Sequence, residues 1–306
     1  VKGTDAAPLV KTRQDRIPLG IAYMIAATIV FAGSSALSKW LVATYPIGEM
    51  LFVRAISALV GAALVILPTT GLIVFRTSRF REHLFRGVSQ SLAQTFLVIA
   101  FSLMPLASAV AINFSAPLFA TLAAIIILKE VVGPVRWGAL IVGFAGVLLV
   151  TSPGAETIQI GSAFALANAV LFGTVTVGVR RMTSTESAET LTMYQMTLLT
   201  IFFSVMLPFG WITPNFIDGA AMVGNGVANA VGQYLWTRSL HLAPTSAVAP
   251  FNYFSLVWAM IMGFLVWGDV PTLHLLIGSA IVVGSGLFLL WHESRRGGHG
   301  RRAASK

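Results

Sequence analysis

Apolar residues fall along this chain in blocks of about twenty, separated by short polar or Gly- and Pro-bearing stretches. A helix needs about 20 such residues, at about 1.5 Å each, to cross about 30 Å of hydrocarbon. Ten segments meet that test, at about 18–42, 47–68, 84–103, 107–128, 135–151, 160–179, 188–209, 220–241, 246–267 and 273–291. Only helices and closed barrels satisfy every backbone polar group in lipid, and blocks of this length predict helices. The expected fold class is therefore an all-α integral membrane protein of ten transmembrane helices. The fifth and tenth segments are short and glycine-rich (Gly138, Gly143, Gly146; Gly278, Gly284, Gly286), which suits close helix approach. Most connections are short, so helices adjacent in sequence are expected to be mostly adjacent in space.

The pattern also repeats. Gly87, Gln90, Gln94, Pro105, Asn113 and Glu130 recur 139 positions later as Gly226, Asn229, Gln233, Pro244, Asn252 and Asp269. Further matches at offsets of 140 and 141 pair Gly20 with Gly161, Phe31 with Phe172, Lys39 with Arg180 and Glu49 with Glu189. A Ser-Ala-Val-Ala match (Ser108, Ser246) would prefer 138, leaving that register open by one residue. The expected organisation is an N-terminal tail (1–16), a first repeat (17–152), a second repeat (153–292) and a basic tail (293–306). Five spans per copy place the second copy upside down. Such inverted repeats are a transporter architecture, with the substrate site near the midplane and alternating access arising from rocking of the two halves.

Composition agrees: 56% of residues are hydrophobic and 10% charged, with a mean hydropathy of +0.83, whereas soluble domains carry roughly 25% charged residues. With no cysteine in the sequence, thiol catalysis is excluded. Lys and Arg decide the expected orientation. With the N-terminus cytoplasmic, every inside segment is basic and the outside loops hold no cation; only Lys39, near an outer end, and Arg54, inside the second span, depart from this pattern. The net charge of +9 then reflects that bias and anionic lipid headgroups rather than nucleic acid. The N-terminal apolar run is too long for a signal-peptide core, so it is expected to remain as the first span.

The pattern Leu-x-Pro, small residues, Ser-Ala-Val-Ala, a Pro-containing apolar run and a terminal acid occurs at Leu103–Glu130 and again at Leu242–Asp269. With ten spans, the chain resembles an EamA-type member of the drug/metabolite transporter superfamily over residues 17 to 292, with the YddG-type aromatic amino-acid exporters as the nearest specific likeness. The resemblance implies a multi-pass carrier of the bacterial inner membrane, both termini cytoplasmic, with a central cavity built mainly from spans 1, 3, 4, 6, 8 and 9. It implies small-molecule substrates: amino acids including aromatic ones, riboflavin, nucleotide-sugars or other metabolites.

Polar side chains at depths where lipid would penalise them are the candidate pathway. Gln90 and Gln94 share one face of span 3, as Asn225, Asn229 and Gln233 do on span 8, and Asn113 and Asn252 are related by the repeat. Interhelical hydrogen bonding, at about 0.6 to 2 kcal/mol per contact, is the alternative use of these amides. Arg54 could hold a substrate carboxylate in a bidentate fork, or pair with a backbone carbonyl or Glu49. Lys39 could snorkel to the outer surface or act at the outer mouth. Tyr234, Tyr253 and Trp258 combine an apolar body with a hydrogen-bonding tip, which suits a flat substrate; core packing or lipid contact is the alternative. Pro117 and Pro250 interrupt spans 4 and 9 as hinges or static kinks.

No Asp or Glu lies in the middle of any span, so a neutral or zwitterionic substrate and facilitated diffusion or exchange are expected rather than strict proton antiport. The five histidines lie at helix ends or in tails, without metal-ligand spacing, and there is no phosphate-binding loop. An intramembrane enzyme is therefore the distant alternative and a passive channel another. The residues imply no metal or cofactor, and the expected partners are a small-molecule substrate and membrane lipids, with the chain a monomer.

Overall fold

The computed structural model describes residues 16–128, 133–150, 156–182, 185–243 and 248–303. The first repeat forms α1 (Ile17–Val42), α2 (Ile47–Thr70), α3 (Phe80–Leu103), α4 (Leu106–Asn113), α5 (Ala116–Leu128) and α6 (Pro134–Val150). The second forms α7 (Glu156–Met182), α8 (Ala188–Met206), α9 (Phe216–Leu242), a 3-10 turn (Ala249–Tyr253) running into α10 (Phe254–Trp267), and α11 (Leu273–Ala303). Six helical segments are long and apolar enough to cross a membrane, and Trp137–Val150, Phe251–Trp267 and Leu273–Phe288 are shorter apolar helices. The 27-residue α9 is absent from both groups because Asn225, Asn229 and Gln233 dilute its hydropathy. Residues 1–15 of the N-terminal tail, Glu130 and Ser246 lie outside the described residues.

The fourth span is two helices rather than one. Pro117 lies four residues after Asn113, the last residue of α4; its ring would collide with that carbonyl in a continuous helix, and it has no N–H to bond it. The chain breaks at Phe114–Ser115, and Pro117 sits in the first turn of α5, where a missing N–H costs nothing. In the ninth span Pro250 lies within the 3-10 turn that precedes α10. Phe114 and Tyr253, repeat mates at the two breaks, pack ring to ring with centroids 4.9 Å apart.

The expectation that helices adjacent in sequence would also be adjacent in space is overturned. α1 packs along α9, α3 along α7, α6 along α11 and α2 against α8, each pair joining the two repeats, while consecutive helices of one repeat barely touch. Short loops fix only where a helix starts; inverted halves let each helix bury its least lipid-like face on the other copy. The glycines show this unevenly. Gly146 and Gly278 bring α6 and α11 together, a Cβ on Gly278 falling 2.8 Å from the Gly146 carbonyl oxygen. Gly138 and Gly284, also expected to allow close approach, have nothing within 4 Å of the place a Cβ would take.

Gly226 makes the tightest approach to another helix's backbone: a Cβ there would lie 2.5 Å from the Arg54 carbonyl oxygen and 2.7 Å from the Ser57 Cβ. Gly226→Val should therefore lower the melting temperature of the detergent-solubilised protein, by the equivalent of about 1–3 kcal/mol for an overpacked interior site. Gly138→Ala should leave it unchanged.

Candidate substrate pathway

Polar side chains bind the helices across the repeat. Asn225, fully buried on α9, donates to Ser38 Oγ at 2.8 Å and accepts from Ser34 Oγ, both on α1. Asn168 on α7 donates to Asn113 Oδ1 at 2.6 Å. Arg86 on α3 donates to the Leu191 carbonyl at 3.0 Å and to Gln195 Oε1 on α8. The Glu49 carboxylate, fully buried in the first turn of α2, accepts from the Ile212 N–H at 2.9 Å. Tyr45 donates to Asp218 Oδ2 at 2.6 Å, and that bond favours the protonated phenol and raises its pKa. All of these bonds join one repeat to the other.

Lys39 is different. Its ammonium donates to the Met104 carbonyl, at the end of α3, at 2.6 Å, and lies 5.2 Å from the centre of the Trp267 ring. That bond stays within the first repeat and ties α1 to the α3–α4 junction. It lies in the half of the bundle away from the chain termini, where the main apolar core also lies: Ala36, Leu41, Leu51, Val98, Phe101, Leu106, Phe203, Met222 and Leu275 form one continuous cluster. Among the described residues the half nearer the termini shows a small cluster of Met24, Ala243 and Val248. Contacts between helices tell the same story. α1 touches α3 and α4, yet among the described residues the equivalent pairs of the second repeat, α7 with α9 and α7 with α10, make no comparable contact. Among the described residues the molecule is closely packed at the face away from its termini and parted, in the sense of fewer helix contacts, at the face that carries them.

Within this frame Gln90 is buried, and Gln94, Asn229, Asn252 and Arg54 are half-buried. Gln233 is exposed and Tyr234 is 60% exposed, both on the part of α9 in the parted half. Asn113 is bonded to Asn168, and the Asn252 carbonyl accepts from Ser255 Oγ at 2.8 Å. Tyr253 is a wedge, its ring on Phe114 and its hydroxyl filling the space a Cβ on Gly286 would need. The Trp258 indole N–H is buried with no hydrogen-bond partner. Sequence reasoning missed Asn168, Ser34 and Ser38. Their repeat mates are Ala27, Val175 and Val179, so a search for polar residues kept in both copies passes over them.

The EamA-like transporter family matches residues 18–152 and again 159–291. The chain belongs to that family. A riboflavin transporter from Rhizobium johnstonii is 29% identical over 284 residues, spanning 92% of this chain and 94% of that protein. An S-adenosylmethionine uptake transporter from Rickettsia bellii is 24% identical over 283 residues, spanning 90% of this chain and 95% of that protein. A crystal structure of 17% sequence identity superposes with a TM-score of 0.60, covering 91% of this chain and 97% of that one, a likeness of fold alone. The protein is an all-helical membrane transporter of the drug/metabolite transporter fold, and its relatives are transporters rather than enzymes.

The Lys39 bond ties α1 to the α3–α4 junction at the packed face, so its removal probes whether that face opens. Lys39→Met in a Gln94→Cys background should raise, several-fold, the rate at which a membrane-impermeant thiol reagent reaches the thiol at position 94 from the face away from the termini. The native sequence holds no cysteine, so that thiol would be the sole target. An unchanged rate would assign Lys39 to anchoring alone.

Proposed function

We propose that this EamA-like transporter is a secondary carrier of the bacterial inner membrane, with both termini cytoplasmic, working as a monomer by alternating access. The observation that carries this reading is the asymmetry between inverted halves: one face has a continuous core and the Lys39 tie, the other is parted. The reciprocal arrangement, with the halves exchanging roles, is the natural second state of an inverted repeat. With the termini cytoplasmic, the state described is open to the cytoplasm.

The pathway runs between the halves past Gln90, Gln94, Asn113, Asn229, Gln233 and Asn252, with Trp258, Tyr234 and Tyr253 as its aromatic surface. Amide groups both donate and accept, so they suit neutral or zwitterionic ligands, and an unpartnered indole N–H awaits an acceptor. The substrates this combination suits best are small, flat metabolites, aromatic amino acids first, moved outward by facilitated diffusion or exchange. Riboflavin is the second reading, favoured by the riboflavin transporter among the relatives. The direction of net movement follows the substrate gradient, since one pathway serves both uptake and export.

Counterflow in proteoliposomes loaded with phenylalanine, tryptophan, threonine and riboflavin tests this. Saturable accumulation of labelled phenylalanine or tryptophan is expected; riboflavin alone would move the assignment to the second reading, and accumulation of none would remove it. Gln94→Leu and Gln233→Leu should slow transport about five- to tenfold, the size of one lost hydrogen bond of about 1 kcal/mol, while folded yield stays near that of the parent. Dissipating a proton gradient at a fixed substrate gradient should leave the rate unchanged, because no carboxylate lies in the middle of a span.

A further inference from the structure

Arg54 lies on α2 about 10 Å, at 1.5 Å per residue, from the helix start at Ile47. A guanidinium at that depth needs an acceptor or water. Among the described residues it has neither a hydrogen-bond nor an ion-pair partner. Glu49, on the same helix, has one carboxylate oxygen bonded by the Ile212 N–H and the other buried without a partner, and Asp218 is bonded by Tyr45 and Asn215. Yet the side chain lies deep in the bundle and is only half-buried by surface, and its nitrogens are not among the polar atoms sealed away from solvent. The guanidinium is therefore deep in the bundle, unpaired among the described residues and still accessible.

Two further features show that the position is built this way. The Arg54 backbone packs directly against Gly226 of α9, which sets how closely the α2 turn that carries it sits to that helix. Its repeat mate, Tyr194, donates to the Phe75 carbonyl at 2.6 Å and stacks on His83, so the equivalent place in the other half is fully anchored. At this pair of positions the first half carries an unmatched five-donor group and the second an anchored phenol.

We propose that Arg54 is the anchor for a carboxylate carried by the transported molecule, so that the substrate class is zwitterionic rather than uncharged. This rests on the carrier reading above and narrows it. The planar fork of a guanidinium fits a carboxylate bidentately, and the missing counter-charge would arrive with the substrate. An amino acid meets this requirement and riboflavin does not. The positive charge also draws an anionic head into the pathway before any amide engages it.

The test needs no knowledge of the substrate. Asn229→Cys places one thiol a turn beyond Gly226 in an otherwise cysteine-free chain. Purified protein in lipid nanodiscs is alkylated with iodoacetate, which carries the carboxylate, and separately with iodoacetamide, its neutral analogue. The ratio of the two rates is compared in Arg54, Arg54→Lys, Arg54→Gln and Arg54→Met backgrounds. The ratio should fall about tenfold in the two neutral variants, the scale of one charge at a few ångströms, and survive in Arg54→Lys. An equal ratio in all four, or no reaction with either reagent, would overturn the proposal. Arg54→Met serves if Arg54→Gln does not fold. Because alkylation requires no turnover, failed counterflow with an intact ratio would refute the carrier reading and leave the anchor standing.

Discussion

The rest of this structure depends on one constraint: in hydrocarbon a polar side chain must find its partner in protein, and here the partners lie in the other repeat. Asn225 with Ser34 and Ser38, Asn168 with Asn113, Arg86 with Gln195 and Glu49 with the Ile212 N–H all cross the duplication. Lipid tails are as apolar as Leu, so apolar matching alone gives helices little reason to choose one neighbour over another. Hydrogen bonds and close glycine contacts make that choice. The result is a set of helix pairs that each join the two repeats, rather than two five-helix domains side by side.

The Asn225 bonds to Ser34 and Ser38 lie inside the α1–α9 pair, whereas Asn168–Asn113 joins α7 to α4 and Arg86–Gln195 joins α3 to α8. The Lys39 bond to the Met104 carbonyl instead connects α1 to the end of α3. The Trp267 ring lies beside the ammonium, its centre 5.2 Å away. A tie with one donor and one carbonyl is weak enough to break and directional enough to define a closed state.

Function enters where the two halves differ. An inverted repeat supplies a symmetric frame, but a substrate with unlike ends needs an asymmetric site. Arg54 against Tyr194, and Asn168 against Ala27, are the places where one copy has departed from the other. The charged position is left open while its mate is anchored, and the aromatic Trp258 keeps an unpaired N–H on a helix whose counterpart carries Phe119. The relatives that carry riboflavin and S-adenosylmethionine share the fold at 24% to 29% identity, which fits a common frame whose chemistry is set by a few such residues.

By itself the sequence determined that the chain is built of apolar helices in a duplicated arrangement, because apolar length and a 139-residue recurrence are local quantities that need no partner to be read. It also placed the breaks near Pro117 and Pro250, since a proline acts on the backbone four residues before it. Pairing was beyond it: hydropathy says that a face is apolar, not which helix covers it, and the expectation of sequential neighbours failed for that reason. Nor could it separate Gly146, which touches Gly278, from Gly138, which touches nothing. Only the tertiary structure decided that Asn113 is bonded to Asn168 while Arg54 has no partner among the described residues, because satisfaction of a polar group is a property of the space around it and not of the residue.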